Sequence, residues 1–264
     1  MVNLIQENSG KDLYIRHAAI EALTKFDAKT LGILNTHNSV EVQLCAVVAL
    51  RRNKAPEIRR FLKAESDFVS TEAALGIYDD FSILPAMSYL AEALESSDNN
   101  KTAFVLRAIN ANARIGSFKN AARVAKWASD ETQSEEHRLF ALKRLIEWNS
   151  PPKLDAVTGR YRSSQDSIAE FSSVRQALEP FIQRLLVDGS AKVQAAAMQL
   201  SRKYDLLPSH EILVRLIKQE TTDESVRIAA LQAMADEKGV ISNRAVLREA
   251  INSNSSKLRV VAMQ

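Results

Sequence analysis

Asp223-Glu-Ser-Val-Arg-Ile-Ala-Ala-Leu-Gln-Ala-Met234 holds the pattern on which the chain is built: a polar first residue, apolar residues at helical spacing, and, at Ala230, a small residue followed by a larger apolar one. The same grammar stands at Asp12-Leu-Tyr-Ile-Arg-His-Ala-Ala-Ile-Glu-Ala-Leu23 and at Ser39-Val-Glu-Val-Gln-Leu-Cys-Ala-Val-Val-Ala-Leu50. Asp, Ser or Asn at the opening accepts hydrogen bonds from the amides that a first helical turn leaves free, and apolar residues at i, i+4, i+5 and i+8 form one helix face. Eight alanines, Ala19, Ala46, Ala73, Ala108, Ala141, Ala197, Ala230 and Ala262, mark the copies at spacings of 27, 27, 35, 33, 56, 33 and 32 residues. Self-similarity at such periods means stacked supersecondary units, and the long gap is one repeat plus about twenty inserted residues.

Alanine at the fixed position lets a neighbouring helix approach closely, and the residue after it (Ile20, Val47, Ala74, Ile109, Leu142, Met198, Leu231 or Met263) supplies core volume. Between the motif helices lie partner helices, expected over Lys29 to Asn35, Pro56 to Lys63, Ile83 to Leu94, Phe118 to Ala128, Val174 to Val187, His210 to Gln219 and Arg244 to Ile251. With this period and the signature Val226-Arg-Ile-Ala-Ala-Leu231, the chain resembles the HEAT-repeat family over nearly all its length. The resemblance implies an all-α fold: a right-handed α-α superhelix, a HEAT/ARM-like solenoid of about seven to eight helical repeats, whose second helices line the concave side.

Composition agrees. Hydrophobic residues are 46%, aromatics 6%, and only 7 Gly and 6 Pro punctuate 264 residues, which suits long helices and not turn-rich sheets. Thirty-five basic residues stand against 32 acidic, a net charge of +3, so nucleic acid is not implied. The densest basic stretch, Arg51 to Lys63, reads as a solvated ridge ahead of an anion patch, because no aromatic platform is interleaved with it. The lone Cys45 excludes an internal disulfide and sits on the inward side of its helix. No apolar run is long enough to span a membrane, and the N-terminus lacks the zones of a signal peptide. The first repeat helix begins near Lys11 without a full partner before it, and the last motif breaks off at Val261-Ala-Met-Gln264. Residues 1–264 are therefore expected to be one solenoid domain from a longer polypeptide, since solenoid ends ordinarily carry a polar outer face.

The largest departure from the repeat is an inserted loop over 149–171, just after Trp148: Asn-Ser-Pro-Pro-Lys-Leu-Asp-Ala-Val-Thr-Gly-Arg-Tyr-Arg162 and then a polar stretch. Two prolines stop the preceding helix, Gly159 allows a tight turn, and Asp155 accepts local amide hydrogens, so the segment reads as ordered. Trp148, Leu154, Val157 and Tyr161 are expected to pack it onto the repeats, while Arg160, Tyr161 and Arg162 offer a docking surface of interface-prone residue types. A Trp, paired prolines and Asp-x-Val-Thr-Gly-x-Tyr-Arg within HEAT repeats looks like the helical region of large exported bacterial proteins of the membrane-bound or sorbosone-type dehydrogenase kind. There a propeller domain precedes the repeats and a c-type cytochrome domain commonly comes after them. The resemblance implies a periplasmic or exported parent. The redox residues of that family have no counterparts here, because neither a propeller pattern nor Cys-x-x-Cys-His is present.

The position three residues before each alanine is polar in seven copies: Arg16, Gln43, Ser70, Arg138, Gln194, Arg227 and Arg259. This row is expected to be the exposed edge of each helix or an Arg-to-acid ladder between repeats, with a binding stripe as the other reading. His17, His37, His137 and His210 are scattered, and no His-Glu-x-x-His pair, phosphate loop or nucleophile elbow occurs, so no catalytic residue, metal or cofactor is assigned. Asp79-Asp80 after Tyr78 reads as a polar turn rather than an acid/base pair. These features together imply a non-catalytic scaffold or interdomain module whose partner is a protein or a neighbouring domain. The alternative is a HEAT-like DNA-repair glycosylase module, which requires a concave Arg/Lys cluster around Trp127 or Trp148 and an acid.

Overall fold

Many of the helices begin where a side chain replaces the missing turn of backbone. Asp12 Oδ1 accepts from the amides of Tyr14 and Ile15 at 2.8 and 3.2 Å, and Ser39, Ser134, Ser190 and Asp223 cap the helices that they precede in the same way. The computed structural model describes residues 1–79, 83–161, 171–188, 190–234 and 243–263. Those residues form an all-α protein, with no strand beyond the single bridge between Leu154 and Tyr161. The chain divides into two units: Met1–Ile115 with the described part of Pro152–Ser167, and Gly116–Pro151 with the described part of Ile168–Gln264.

The first unit contains α1 (Val2–Asn8), α2 (Leu13–Leu23), α3 (Ala28–Ile33), α4 (Val40–Arg52), α5 (Asp67–Tyr78), α6 (Leu84–Ser96) and α7 (Thr102–Ile115). The motif helices α2, α4, α5 and α7 pack each on the next, and α3, the 3₁₀ segment Pro56–Lys63 and α6 form a second layer against them. Ala19, Ala46, Ala73 and Ala108 lie in the first layer, all buried. The expected helix over Pro56–Lys63 is 3₁₀ rather than α: three residues per turn stack Ile58 directly behind Phe61, and both are fully buried. Gly76 on α5 permits the contact, because a Cβ there would lie 2.7 Å from Ile58 Cδ1. Ahead of Lys11 stands only the short α1, which packs on α2 and α4 through the buried Ile5.

The second unit contains α8 (Phe118–Ala128), α9 (Glu135–Ile146), α10 (Phe171–Leu186), α11 (Ala191–Lys203), α12 (His210–Lys218), α13 (Glu224–Ala233), α14 (Arg244–Ile251) and α15 (Ser256–Met263). Again the motif helices α9, α11, α13 and α15 pack in series, and each is flanked by its partner α8, α10, α12 or α14. Ala141, Ala197 and Ala230 are fully buried, as are Leu142 and Leu231 after them. Met263 departs from the expectation for its position: α15 packs on α13 and α14, and this side chain is left exposed. Because the alanines are the points of closest helix approach, Ala73→Leu is expected to overpack the α4–α5–α7 layer and lower stability by about 1–3 kcal/mol, measured by urea unfolding monitored by far-ultraviolet circular dichroism.

Candidate interaction site

Of the two expectations for the polar row three residues before the alanines, the exposed edge does not hold. Ser70, Arg138, Gln194 and Arg227 are buried, and Arg16, Gln43 and Arg259 are half-buried. All but Arg16 bond backbone carbonyls. Arg138 Nε donates to the carbonyl of Ala128 at 2.8 Å and Arg227 Nε to that of Ile217 at 2.9 Å, so each arginine satisfies the C-terminus of the partner helix ten residues back. Their far ends reach the turn ahead of the next motif helix: Arg138 Nη2 lies 2.5 Å from Asp188 Oδ2, and Arg227 Nη2 donates to Ser253 Oγ at 3.2 Å. Gln43, Gln194 and Arg259 bond the carbonyls of His37, Asp188 and Ser253, each six residues back. Arg16 Nε and Glu41 Oε1 form an ion pair at 2.9 Å. Of the readings open to this row, the internal ladder describes the geometry, and its guanidiniums are turned inward.

A second set of ties lies nine residues before the alanine, a position that the sequence pattern does not mark. There His37 Nδ1, Asn99 Oδ1, Asp188 Oδ1 and Ser253 Oγ accept from the amides of Ser39, Lys101, Ser190 and Ser255 at 2.9–3.2 Å. The signal is faint because four residue types do one job, namely to present an acceptor just before the helix start. Glu135 and Glu224 add an outer rung: the hydroxyls of Ser190 and Ser255, and then Lys192 and Lys257, hold both carboxyls below the usual range.

The insert is held by an acid. Asp155 is 4% exposed, and five donors converge on it: the amides of Val157 and Thr158 and the Thr158 hydroxyl on Oδ1 at 3.0, 2.8 and 3.1 Å, with the Tyr78 hydroxyl and Asn110 Nδ2 on Oδ2 at 2.5 and 3.2 Å. Tyr78 ends α5, Asn110 lies on α7, and Asn110 also donates to the Tyr78 hydroxyl. The turn closes through Asp155 N to Arg160 O and Gly159 N to Asp155 O, both 2.8 Å, with Gly159 at φ +67°. Arg160 Nη1 donates to the carbonyl of Asp79, whose carboxylate is gripped by Arg107 at 2.8 and 3.0 Å.

Polar bonding thus replaces the expected apolar packing. Leu154 and Tyr161 are 57% and 72% exposed, because in a hairpin successive side chains alternate and Asp155 takes the inward face. Of the expected docking residues, Arg160 and Tyr161 lie at the surface beside the buried Asp155, and Arg162 lies outside the described residues, as does Asp80. Trp148 belongs to the second unit, where it is buried and donates from Nε1 to Gly116 O at 3.2 Å.

Two other residues have settled surroundings. Cys45 is fully buried, and burial pushes its thiol up, as a core residue requires. His137 lies 6.4 Å from Trp127 between ring centroids, and burial holds it below its ordinary value near 6.5, with Glu136 opposing. A histidine favoured neutral in the fold contributes fully above pH 6.5, and stability is lost as the pH falls through its lower folded value. Stability of the second unit is therefore expected to decline as the pH drops below about 6.5, and His137→Gln to remove that part of the decline, measured by denaturant midpoints across pH.

Among the described residues no group of three or more His, Cys, Asp or Glu side chains is placed to hold a metal ion, and no helix is long and apolar enough to cross a membrane. No family model and no curated protein matches the chain.

Proposed function

We propose that the chain is a HEAT-like helical-repeat scaffold, an interdomain or protein-interaction module that catalyses no reaction itself. One observation carries this reading: the polar residues that recur with the repeat are turned inward, where they tie each helix pair to the next, so recurrence here serves stacking. The two-layer order of helices within each unit supports a stacked α-α superhelix, whose right hand is what the resemblance to HEAT repeats implies. What distinguishes the repeats from one another is the insert, which presents Leu154, Arg160 and Tyr161 on an ordered turn and so provides the place for a partner. Trp148, which the DNA-glycosylase reading sets beside an acid in a basic groove, is occupied in packing.

Small-angle scattering tests the superhelix: a 264-residue globule has a radius of gyration of about 18 Å, and a clearly larger value is expected, whereas about 18 Å would overturn it. The insert's likeness to exported dehydrogenase-like proteins makes such a polypeptide the proposed parent. Its coding sequence is expected to encode a propeller-like strand pattern upstream and Cys-x-x-Cys-His downstream; start and stop codons bounding residues 1–264 would leave a free-standing adaptor instead.

A further inference from the structure

We propose that the second unit parts along one preferred joint, the packing of α11 on α13, and so moves as two four-helix bodies, α8–α11 and α12–α15. The ties between helix pairs are uneven. The acceptors His37, Asn99, Asp188 and Ser253 stand ahead of α4, α7, α11 and α15, so the motif recurs at every repeat but this bonding at every second one. Between α9 and α11 the ties are many: Arg138 reaches Asp188, Glu135 takes the Ser190 hydroxyl and Lys192, and at the far end of the helices the Tyr204 hydroxyl donates to Leu145 O at 2.9 Å and Lys203 Nζ to Ile146 O. The next such set joins α13 to α15 through Arg227 on Ser253 and Glu224 on Ser255 and Lys257, and Asn243, ahead of α14, lies 3.1 Å from His210 of α12.

At the joint of α11 with α13 the same positions turn away. Gln194, which stands on α11 where Arg138 and Arg227 stand on α9 and α13, donates back to Asp188 O at 2.6 Å, Ser201 donates to Leu206 O, and Arg227 is spent on Ile217 O and Ser253. The buried polar side chains of the two helices are thus each bonded on their own side, which leaves apolar residues such as Ala197, Met198, Ala230 and Leu231 for the contact. Thr222, in the turn ahead of α13, is 5% exposed, and its hydroxyl has no hydrogen-bond partner. Among the described residues, the polar bonds that cross the joint are surface ones: Arg202 Nη2 to Gln232 Oε1 at 3.4 Å, and Gln183 with the Leu207 carbonyl and the Ser209 amide at 3.5 and 3.1 Å. Parting α11 from α13 therefore gives up apolar contact and exposed bonds that water replaces, whereas parting α9 from α11 gives up buried hydrogen bonds as well. Local opening follows the weakest boundary, so α12–α15 shifts as a body while each body keeps its own core.

Thiol accessibility in the full chain under native conditions tests this. The residue after the anchor alanine faces the following helix pair, since Met263, which no described helix follows, is exposed while Leu142, Met198 and Leu231 are buried. Met198→Cys therefore puts a thiol at the joint, and Leu142→Cys and Leu231→Cys put one inside each body; the native Cys45 is fully buried in the first unit. With excess dithionitrobenzoate and no denaturant, labelling at Met198→Cys is expected to run roughly tenfold or more ahead of labelling at either other site, each rate being divided by that variant's own unfolding constant from urea titration. Thr222→Val, which removes the unbonded hydroxyl, is expected to leave the urea midpoint unchanged or raise it, and Ser253→Ala, which removes a bonded one, to lower it. Thr222→Val opens no cavity, so this second measurement stands even where a cysteine variant fails to fold. Normalised labelling at Met198→Cys that only matches or trails that at Leu142→Cys or Leu231→Cys overturns the proposal, and so does a midpoint lowered by Thr222→Val, which would make that hydroxyl a tie across the joint.

Discussion

Asp188→Ala is expected to destabilise the second unit by about 3–5 kcal/mol, the range for removing one member of a buried ion pair. Asp188 and Arg138 are 3% and 5% exposed at their side chains, and the pair binds the turn before α11 to the motif helix α9. Without the carboxylate, Arg138 keeps its bond to Ala128 O but holds a buried positive charge with no carboxylate bonded to it, and the amide of Ser190 loses its acceptor. Arg138→Met/Asp188→Leu is expected to regain most of the loss, because it buries no uncompensated charge. Arg227→Met, the equivalent site, is expected to cost only about 1–2 kcal/mol, since its far partner is the neutral Ser253 hydroxyl. Both tryptophans, Trp127 and Trp148, lie in this unit, so urea unfolding monitored by tryptophan fluorescence reports on it directly. Equal losses for Asp188→Ala and Arg227→Met would show that charge burial is not what separates the two rungs.

Legibility in the sequence tracks the range of the interaction. Capping residues and anchor alanines act within one helix and its neighbour, so Asp12, Ser39 and Asp223 announce their helices, and Phe118–Ala128 and Arg244–Ile251 fall where periodicity puts them. The short α1 escapes because seven residues with one buried side chain, Ile5, carry no period. The polar row is visible in the sequence, but its direction is not: a long arginine stem reads the same whether its guanidinium meets water or a carbonyl ten residues back. Asp155 is legible as a turn-former, since Val157 and Thr158 are close by, but its partners Tyr78 and Asn110 lie 77 and 45 residues away in sequence. That distant pairing turns Asp155 inward and so sends Leu154 and Tyr161 outward, reversing the expected packing of the insert.

Asp155→Ala is the sharpest probe of the insert. It strips the acceptor from two amides and from the Thr158 hydroxyl, and leaves the Tyr78 hydroxyl and the Asn110 amide buried between α5 and α7 without the carboxylate that organises them. A buried group deprived of its partner costs about 1–3 kcal/mol, and the losses here share one network, so about 3 kcal/mol is expected rather than the sum over five bonds. The loss should be local. The hairpin rests on polar bonds, with Leu154 and Tyr161 outside, so little apolar burial opposes its release while the α4–α5–α7 layer keeps its own core. Hydrogen exchange of the Val157, Thr158 and Gly159 amides is therefore expected to rise roughly a hundredfold or more in the variant. Exchange in α4 should change far less. Asp155→Asn is expected to fall between the two, because it retains one oxygen for the turn but sets a second amide donor against Asn110. Uniform acceleration across the first unit would instead make Asp155 a keystone of the whole stack, with the hairpin inseparable from the helices beneath it.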